Sequence, residues 1–283
     1  MSVVKRSTRV PCADGLSMGL DLYLPEGADA PLPVTVVCHG FKGFKDWGMF
    51  PPLAERLAGS GRAMAVFDFS HNGVEDTPGE FTRLDLFAKQ TTTRWLEDLG
   101  TVLDFLNDSE FAAECNLQRN NHFNVVAHSF GGAVAVLRAA DDGRIVQVTT
   151  LNGVAELGKR FGPEAMDELE RTGQVVVKNA RTGQDMPLEK TWFEDRAQYD
   201  VEDAATQVFV PALVVHAEDD EAVPVDEGRE LNGWIAGSRL VTVPGTGHTF
   251  GAVHPFAGWT PALETVASEL DAFLPHVGRM GGI

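Results

Sequence analysis

A serine set between small residues, where a buried apolar run gives way to a helical one, is a place where a hydroxyl can become a nucleophile. This chain has such a place at Val125-Val126-Ala127-His128-Ser129-Phe130-Gly131-Gly132. Small residues two before and two after the serine let the backbone turn sharply. The turn lifts the hydroxyl clear of a sheet edge and sets it at a helix N-terminus. The usual spelling has glycine at both small positions, and here the first is Ala127. Alanine still leaves room for the turn, with some strain. The competing reading is a serine that merely caps a helix.

Three further strings supply the partners a nucleophilic serine needs. His39-Gly40-Phe41-Lys42-Gly43 follows the run Val34 to Cys38 directly. Its glycines let the backbone fold back, so that the Phe41 N–H and the Phe130 N–H together could hold a developing oxyanion. His39 itself is expected to fix that loop by hydrogen bonds. The base is expected to be His248, in Pro244-Gly245-Thr246-Gly247-His248-Thr249-Phe250, a glycine-flanked loop just past the last strand-like run. His254 and His276 lack such flanks and read as surface or packing residues. His128 abuts the serine, yet adjacent side chains on a strand face opposite sides, so it should point away. An orienting acid is expected in Glu218-Asp219-Asp220-Glu221. Four carboxylates crowd that turn, and spacing alone does not choose among them. The order serine, acid, histidine suits the arrangement.

These residues need a rigid frame. Residues 3–10 and 17–24 flank Asp14-Gly15 and predict a hairpin. Short β-branched runs at Val34–Cys38, Ala63–Phe67, His122–Ala127, Ile145–Leu151, Ala212–Val215 and Arg239–Val243 suit strands buried on both faces. Helical spacing appears at Phe50–Leu57, Trp95–Leu106, Gly132–Ala140, Val225–Ile235 and Pro261–Leu274. The alternation predicts an α/β fold, a mostly parallel central sheet with helices on both faces. Residues 155–205 interrupt it with a helix over Phe161–Leu169, an extended piece at Gln174–Lys178 and a turn at Arg181-Thr182-Gly183. One domain over residues 1–283 with an inserted cap at about 155–205 is the expected organisation. Phe41, Phe130, Trp192, Phe193 and Phe250 are candidates for an apolar substrate pocket, and each also fits ordinary core.

The 283 residues are 43% hydrophobic, enough for a sizeable core, and 41 acidic against 23 basic residues give a net charge of −18. Such a surface repels nucleic acid and anionic membranes, so neither is an expected partner. Three cysteines make no disulfide framework, and without a Cys-x-x-Cys pair a structural zinc is not expected. No signal peptide and no apolar run of spanning length is legible, so the cytoplasm is the default location.

Taken together, the strings resemble the α/β-hydrolase superfamily over nearly the whole chain. More narrowly they resemble its bacterial cinnamoyl/feruloyl esterases and dienelactone-hydrolase-like esterases. The supporting strings are His39-Gly40-Phe41-Lys42-Gly43, Asp68-Phe69-Ser70-His71-Asn72-Gly73, Asn179-Ala180-Arg181-Thr182-Gly183, Asp220-Glu221-Ala222-Val223-Pro224 and Gly247-His248-Thr249-Phe250. The resemblance implies that the acid is Asp220, three residues before Val223-Pro224. It also implies oxyanion amides at Phe41 and Phe130, a cap that shapes an acyl or aromatic pocket, and no cofactor or metal. The expected activity is hydrolysis of small to medium carboxylic esters, aromatic acyl esters included, through an acyl-enzyme on Ser129. A thioesterase, acyltransferase or small peptidase with the same three residues is the nearest alternative, and a non-catalytic ligand receptor a more distant one. A small-molecule ester is the expected partner, and a homodimer is compatible with the chain.

Overall fold

A computed structural model describes every residue except 76, 78, 159, 160 and 278–283. Strands β1 (Val3–Pro11) and β2 (Ser17–Pro25) form the expected hairpin, with Gly15 at φ 84° in its turn. Then come β3 (Val34–Cys38), α1 (Phe50–Ala58), β4 (Ala63–Phe67), α2 (Leu84–Phe87), α3 (Thr92–Asp108) and α4 (Glu110–Glu114). β5 (Phe123–His128) runs through Ser129 into α5 (Phe130–Asp141), and β6 (Ile145–Leu151) follows. The next segment holds α6 (Pro163–Thr172), the antiparallel pair β7 (Gln174–Lys178) and β8 (Asp185–Glu189), α7 (Lys190–Arg196) and α8 (Val201–Thr206). The chain closes with β9 (Ala212–Ala217), α9 (Val225–Trp234), β10 (Arg239–Val243) and α10 (Pro261–Phe273).

Among the described residues the main sheet has eight strands in the order β1-β2-β4-β3-β5-β6-β9-β10. β1 is the exposed edge, and β2 passes inward to pair antiparallel with β4. All pairings from β4 to β10 are parallel. The β-branched runs are explained by the two cores they serve. Along β3, Val34 and Val36 join one core and Val37 the other; along β5, Val125 and Ala127 face one side and Val126 the opposite side. A strand with period-two side chains and helices on both faces is buried at every position and so mostly apolar, with Thr35, Asn124 and His128 the buried polar members of these two strands. α1 and α10 cover one face through Leu53, Leu57, Leu263 and Leu270. α3, α5 and α9 cover the other through Trp95, Leu99, Val134 and Leu231. The expected fold class is the one observed. Helix α5 starts at Phe130, two residues before the expected start, because the turn at Ser129 delivers the chain into the helix at once.

In the segment between β6 and β9, the turn Asn179–Gly183 is closed by the Asn179 side chain, which accepts from Arg181 N at 3.0 Å. The segment is fastened to the body at several points. Gln184 Nε2 donates to Phe81 O at 2.9 Å, Glu189 N to Ala88 O at 2.9 Å, and Thr93 N to Asp195 Oδ2 at 3.0 Å. Arg181 donates to Gly79 O, and Lys42 Nζ to Lys178 O at 3.3 Å.

Candidate active site

Ser129 has φ 57° and ψ −125°, a left-handed conformation forced by the turn from β5 into α5. Its side chain makes no helix-capping bond, which removes the capping reading. Instead Oγ lies 2.9 Å from His248 Nε2. The small neighbours are explained by contact. A Cβ on Gly131 would stand 2.4 Å from His39 O, and one on Gly132 would stand 2.8 Å from Gly153 Cα. Ala127 is tolerated at the position usually held by glycine because it faces the core between β3 and β6, paired with Cys38 and Thr150.

His248 stands in the loop after β10, and its Nδ1 lies 2.7 Å from Asp220 Oδ2. Asp220 is the buried member of the acidic run, whereas Glu218, Asp219 and Glu221 are exposed. Its other oxygen accepts the Ala222 and Val223 N–H groups at 2.8 and 2.9 Å. Burial works to raise the Asp220 pKa. The hydrogen bond and charge of His248, with the two backbone donors, outweigh it, so the carboxyl titrates below its ordinary value. An ionised carboxylate only accepts, so Nδ1 carries the proton and Nε2 is left to accept from the serine hydroxyl.

The His248 loop is pinned through its own carbonyl, which takes hydrogen bonds from His128 Nε2 at 2.8 Å and Asn152 Nδ2 at 2.7 Å. Asn152 follows β6 directly and accepts from Ala217 N at 2.7 Å, tying the ends of β6, β9 and the β10 loop together. The sequence reading assigned Asn152 no role. An asparagine directly after a buried strand run is the sequence signal that points to it, since Asn tolerates the positive φ, here 49°, that such a strand end can require. His128 makes no bond to Ser129, as expected, yet it is not remote: its ring lies 4.7 Å from that of His248. Burial, then the charge of His248, pushes its pKa down to about 3, so it stays neutral.

Gly40 brings the loop after β3 against the serine. A Cβ there would be 2.7 Å from Ser129 Cβ and 3.2 Å from its Oγ. His39 is structural, as its position suggested. Its Nδ1 bonds Gly40 O at 2.9 Å and its Nε2 accepts from Phe69 N at 3.3 Å. Burial holds its pKa down near 4. Asp68 Oδ1 accepts from Lys45 N at 2.8 Å and from Asn72 Nδ2 at 2.9 Å. Among the described residues, the N–H groups of Phe41 and Phe130 donate to no protein acceptor.

Ser129 and His248 open on two cavities. The larger, about 350 Å³, is walled by Phe41, Phe130, Val154, Leu157, Phe161 and Trp192, among others. The smaller, about 140 Å³, lies toward Gly40, Trp47, Phe50 and His128. Phe41, Phe130 and Trp192, three of the pocket candidates, line the larger cavity; Trp192 packs against Phe41 at 5.5 Å and Phe130 at 5.0 Å between ring centroids. Phe193 and Phe250, the other two candidates, are not among the residues that line either cavity. Phe193 backs the wall, edge-on to Phe161 at 5.0 Å. Phe250 is fully buried in the core under α10, where its carbonyl accepts from Thr260 Oγ1. Among the described residues no group of three or more His, Cys, Asp or Glu side chains is placed to hold a metal ion. Among them, too, no helix is long and apolar enough to cross a membrane.

The chain is 25% identical over 253 residues to an Escherichia coli protein, the uncharacterized 31.7 kDa protein of the traX-finO intergenic region, covering 77% of this chain and 83% of that one. Its fold is similar to that of Est1E from Butyrivibrio proteoclasticus with ferulic acid bound, at 22% identity and TM-score 0.73 over 94% of this chain and 97% of that one. It is also similar to the dienelactone hydrolase of Anabaena variabilis, at 16% identity and TM-score 0.61 over 96% and 97%. Residues 35–260 match the alpha/beta hydrolase family, a span that holds Ser129, Asp220, His248 and the loop after β3, and the chain belongs to that family.

Proposed function

We propose that this protein is a serine hydrolase that cleaves carboxylic esters through an acyl-enzyme. The observation that carries the reading is the unbroken chain of hydrogen bonds from Ser129 Oγ through His248 to Asp220. Beside it stand two backbone N–H groups, those of Phe41 and Phe130, with no protein acceptor among the described residues. In this reading His248 Nε2 takes the Ser129 proton as Oγ attacks the ester carbonyl carbon. The carbonyl oxygen becomes an oxyanion, stabilised by the Phe41 and Phe130 N–H groups. Asp220 stabilises the imidazolium. Collapse breaks the bond to the alcohol, and His248 returns its proton to the leaving oxygen. Water then attacks the acyl-enzyme, again giving a proton to His248, and Ser129 leaves with it as the acid departs.

The segment between β6 and β9 acts in this reading as a cap that supplies Phe161 and Trp192 to the substrate cavity. About 350 Å³ lies at the low end for ligand pockets and suits small to medium acyl groups, aromatic ones included. The test is direct. A fluorophosphonate probe is expected to label the protein once, at Ser129, and Ser129→Ala is expected to lose both labelling and hydrolysis of short p-nitrophenyl esters. Retention of either activity in that variant overturns the proposal.

A further inference from the structure

The charged side chains that line the two cavities at Ser129 do not follow the acidic balance of the chain. The chain carries 41 acidic and 23 basic residues. Yet among the described residues no Asp or Glu lines either cavity, while Lys42 lines both and Arg196 lines the larger. Lys42 is also unlike most other lysines of the chain. Lys5, Lys45, Lys178 and Lys190 each stand within 4 Å of a carboxylate. Lys42 makes no ion pair among the described residues. Its ammonium has one hydrogen bond, to Lys178 O at 3.3 Å, and otherwise lies over the Phe41 ring, 5.6 Å from its centroid. That places it at the cleft mouth, where the loop after β3 meets β7.

Two features make this lysine costly where it is. Its backbone has φ 60°, a conformation glycine adopts without strain and lysine does not. Burial also lowers its pKa, since the ammonium has lost part of its water and gained no opposite charge. An arriving carboxylate would relieve the second cost. Long-range repulsion from the acidic surface does not prevent this. At physiological ionic strength charges more than about 8 Å away are largely screened, whereas a contact pair in a partly desolvated cleft is not.

We propose that Lys42 receives a carboxylate of the substrate, so that the preferred esters are anionic ones whose free carboxylate reaches the mouth of the cleft beside Phe41. This rests on the serine hydrolase reading above and adds the charge of the substrate to it. A lysine that serves only to pin β7 would stabilise the protein without regard to substrate charge.

The experiment compares matched ester pairs. Mono-p-nitrophenyl glutarate against p-nitrophenyl pentanoate puts the charge on the acyl half. 4-(Butanoyloxy)benzoate against phenyl butanoate puts it on the leaving half. In at least one pair the wild type is expected to favour the anion by about tenfold in kcat/KM, the scale of one hydrogen bond to a charged group, and the preference should persist at physiological salt. Lys42→Met and Lys42→Gln should each lower the anion-to-neutral ratio about tenfold, and Lys42→Arg should keep most of it. Absence of a preference for the anion in both pairs overturns the proposal. So does a Met or Gln variant in which both members of the pair that the wild type discriminates change by the same factor. The wild-type ratio at physiological salt decides the matter even if a variant fails to fold. Failure of the underlying reading would look different, as turnover of all four esters that survives Ser129→Ala.

Discussion

Ser129 occupies a backbone conformation that serine avoids, at φ 57°, and the surrounding structure holds it there. Such strain is worth on the order of 1–3 kcal/mol. Glycine would remove it, at an entropic cost in the unfolded chain of about 0.4–1 kcal/mol. The strain is the larger quantity, so Ser129→Gly is expected to melt at least as high as Ser129→Ala while sharing its inactivity. A differential scan of the two purified variants measures this, and a clearly lower midpoint for glycine would show the turn to be unstrained. Asp220→Asn should keep the fold and lose about 10⁴ in kcat, because an amide nitrogen toward Nδ1 favours the wrong imidazole tautomer. The serine and the histidine were legible in the sequence because glycines and strand ends mark their loops. Asp220 was not separable from its three acidic neighbours by spacing. What distinguishes it is burial and the N–H groups of Ala222 and Val223, which arise only when the chain turns back beneath β9.

At the scale of elements, the loop after β4 holds the loop after β3. Asp68 takes the Lys45 N–H, His39 takes the Phe69 N–H, and Asp98 takes the Ser70 N–H at 2.8 Å. The string Asp68 to Gly73 stood out in the sequence without a role, because a side chain that bonds a distant backbone leaves no local pattern. Burial pushes the Asp68 pKa up to about 7, against contrary pulls from the Lys45 N–H and charge. For an acid raised in this way, stability is lost as pH climbs from the unfolded value near 3.8 toward 7, and the loss is complete above that. A side-chain amide in its place would accept the same hydrogen bonds through its oxygen and carry no charge. Asp68→Asn is therefore expected to raise the melting temperature relative to wild type more at pH 8 than at pH 5. A difference that is flat or reversed between those pH values would contradict the assignment. The pocket aromatics show the same limit of sequence reading. Trp192 and Phe193 are adjacent in α7, about 100° apart around the axis. Both fit a cap, and only packing decides that Trp192 meets Phe41 while Phe193 backs Phe161.

At the scale of the whole molecule, the sheet order brings the chemistry together. β3 lies beside β5, then β6, β9 and β10, so the loops carrying Phe41, Ser129, Asn152, Asp220 and His248 leave neighbouring strand ends. The sequence marked the strands, but their lateral order depends on pairings far apart in the chain. The net charge of −18 acts on this assembly as self-repulsion. Surface ion pairs such as Arg56 with Glu264 and Arg83 with Glu75 and Asp85 oppose it locally. Exposed pairs of this kind are worth about 0–1 kcal/mol each and weaken in salt. Salt therefore screens two effects of opposite sign. The acidic residues exceed the basic ones so far that many carboxylates have no cationic partner to lose, and repulsion is the larger effect. Raising NaCl from about 10 mM to about 150 mM shortens the screening length from about 30 Å to about 8 Å, well below the span of the molecule. The melting temperature is expected to rise across that range and then level off. A steady fall in a thermal melt at fixed pH would mean that the ion pairs, and not the repulsion, dominate the surface.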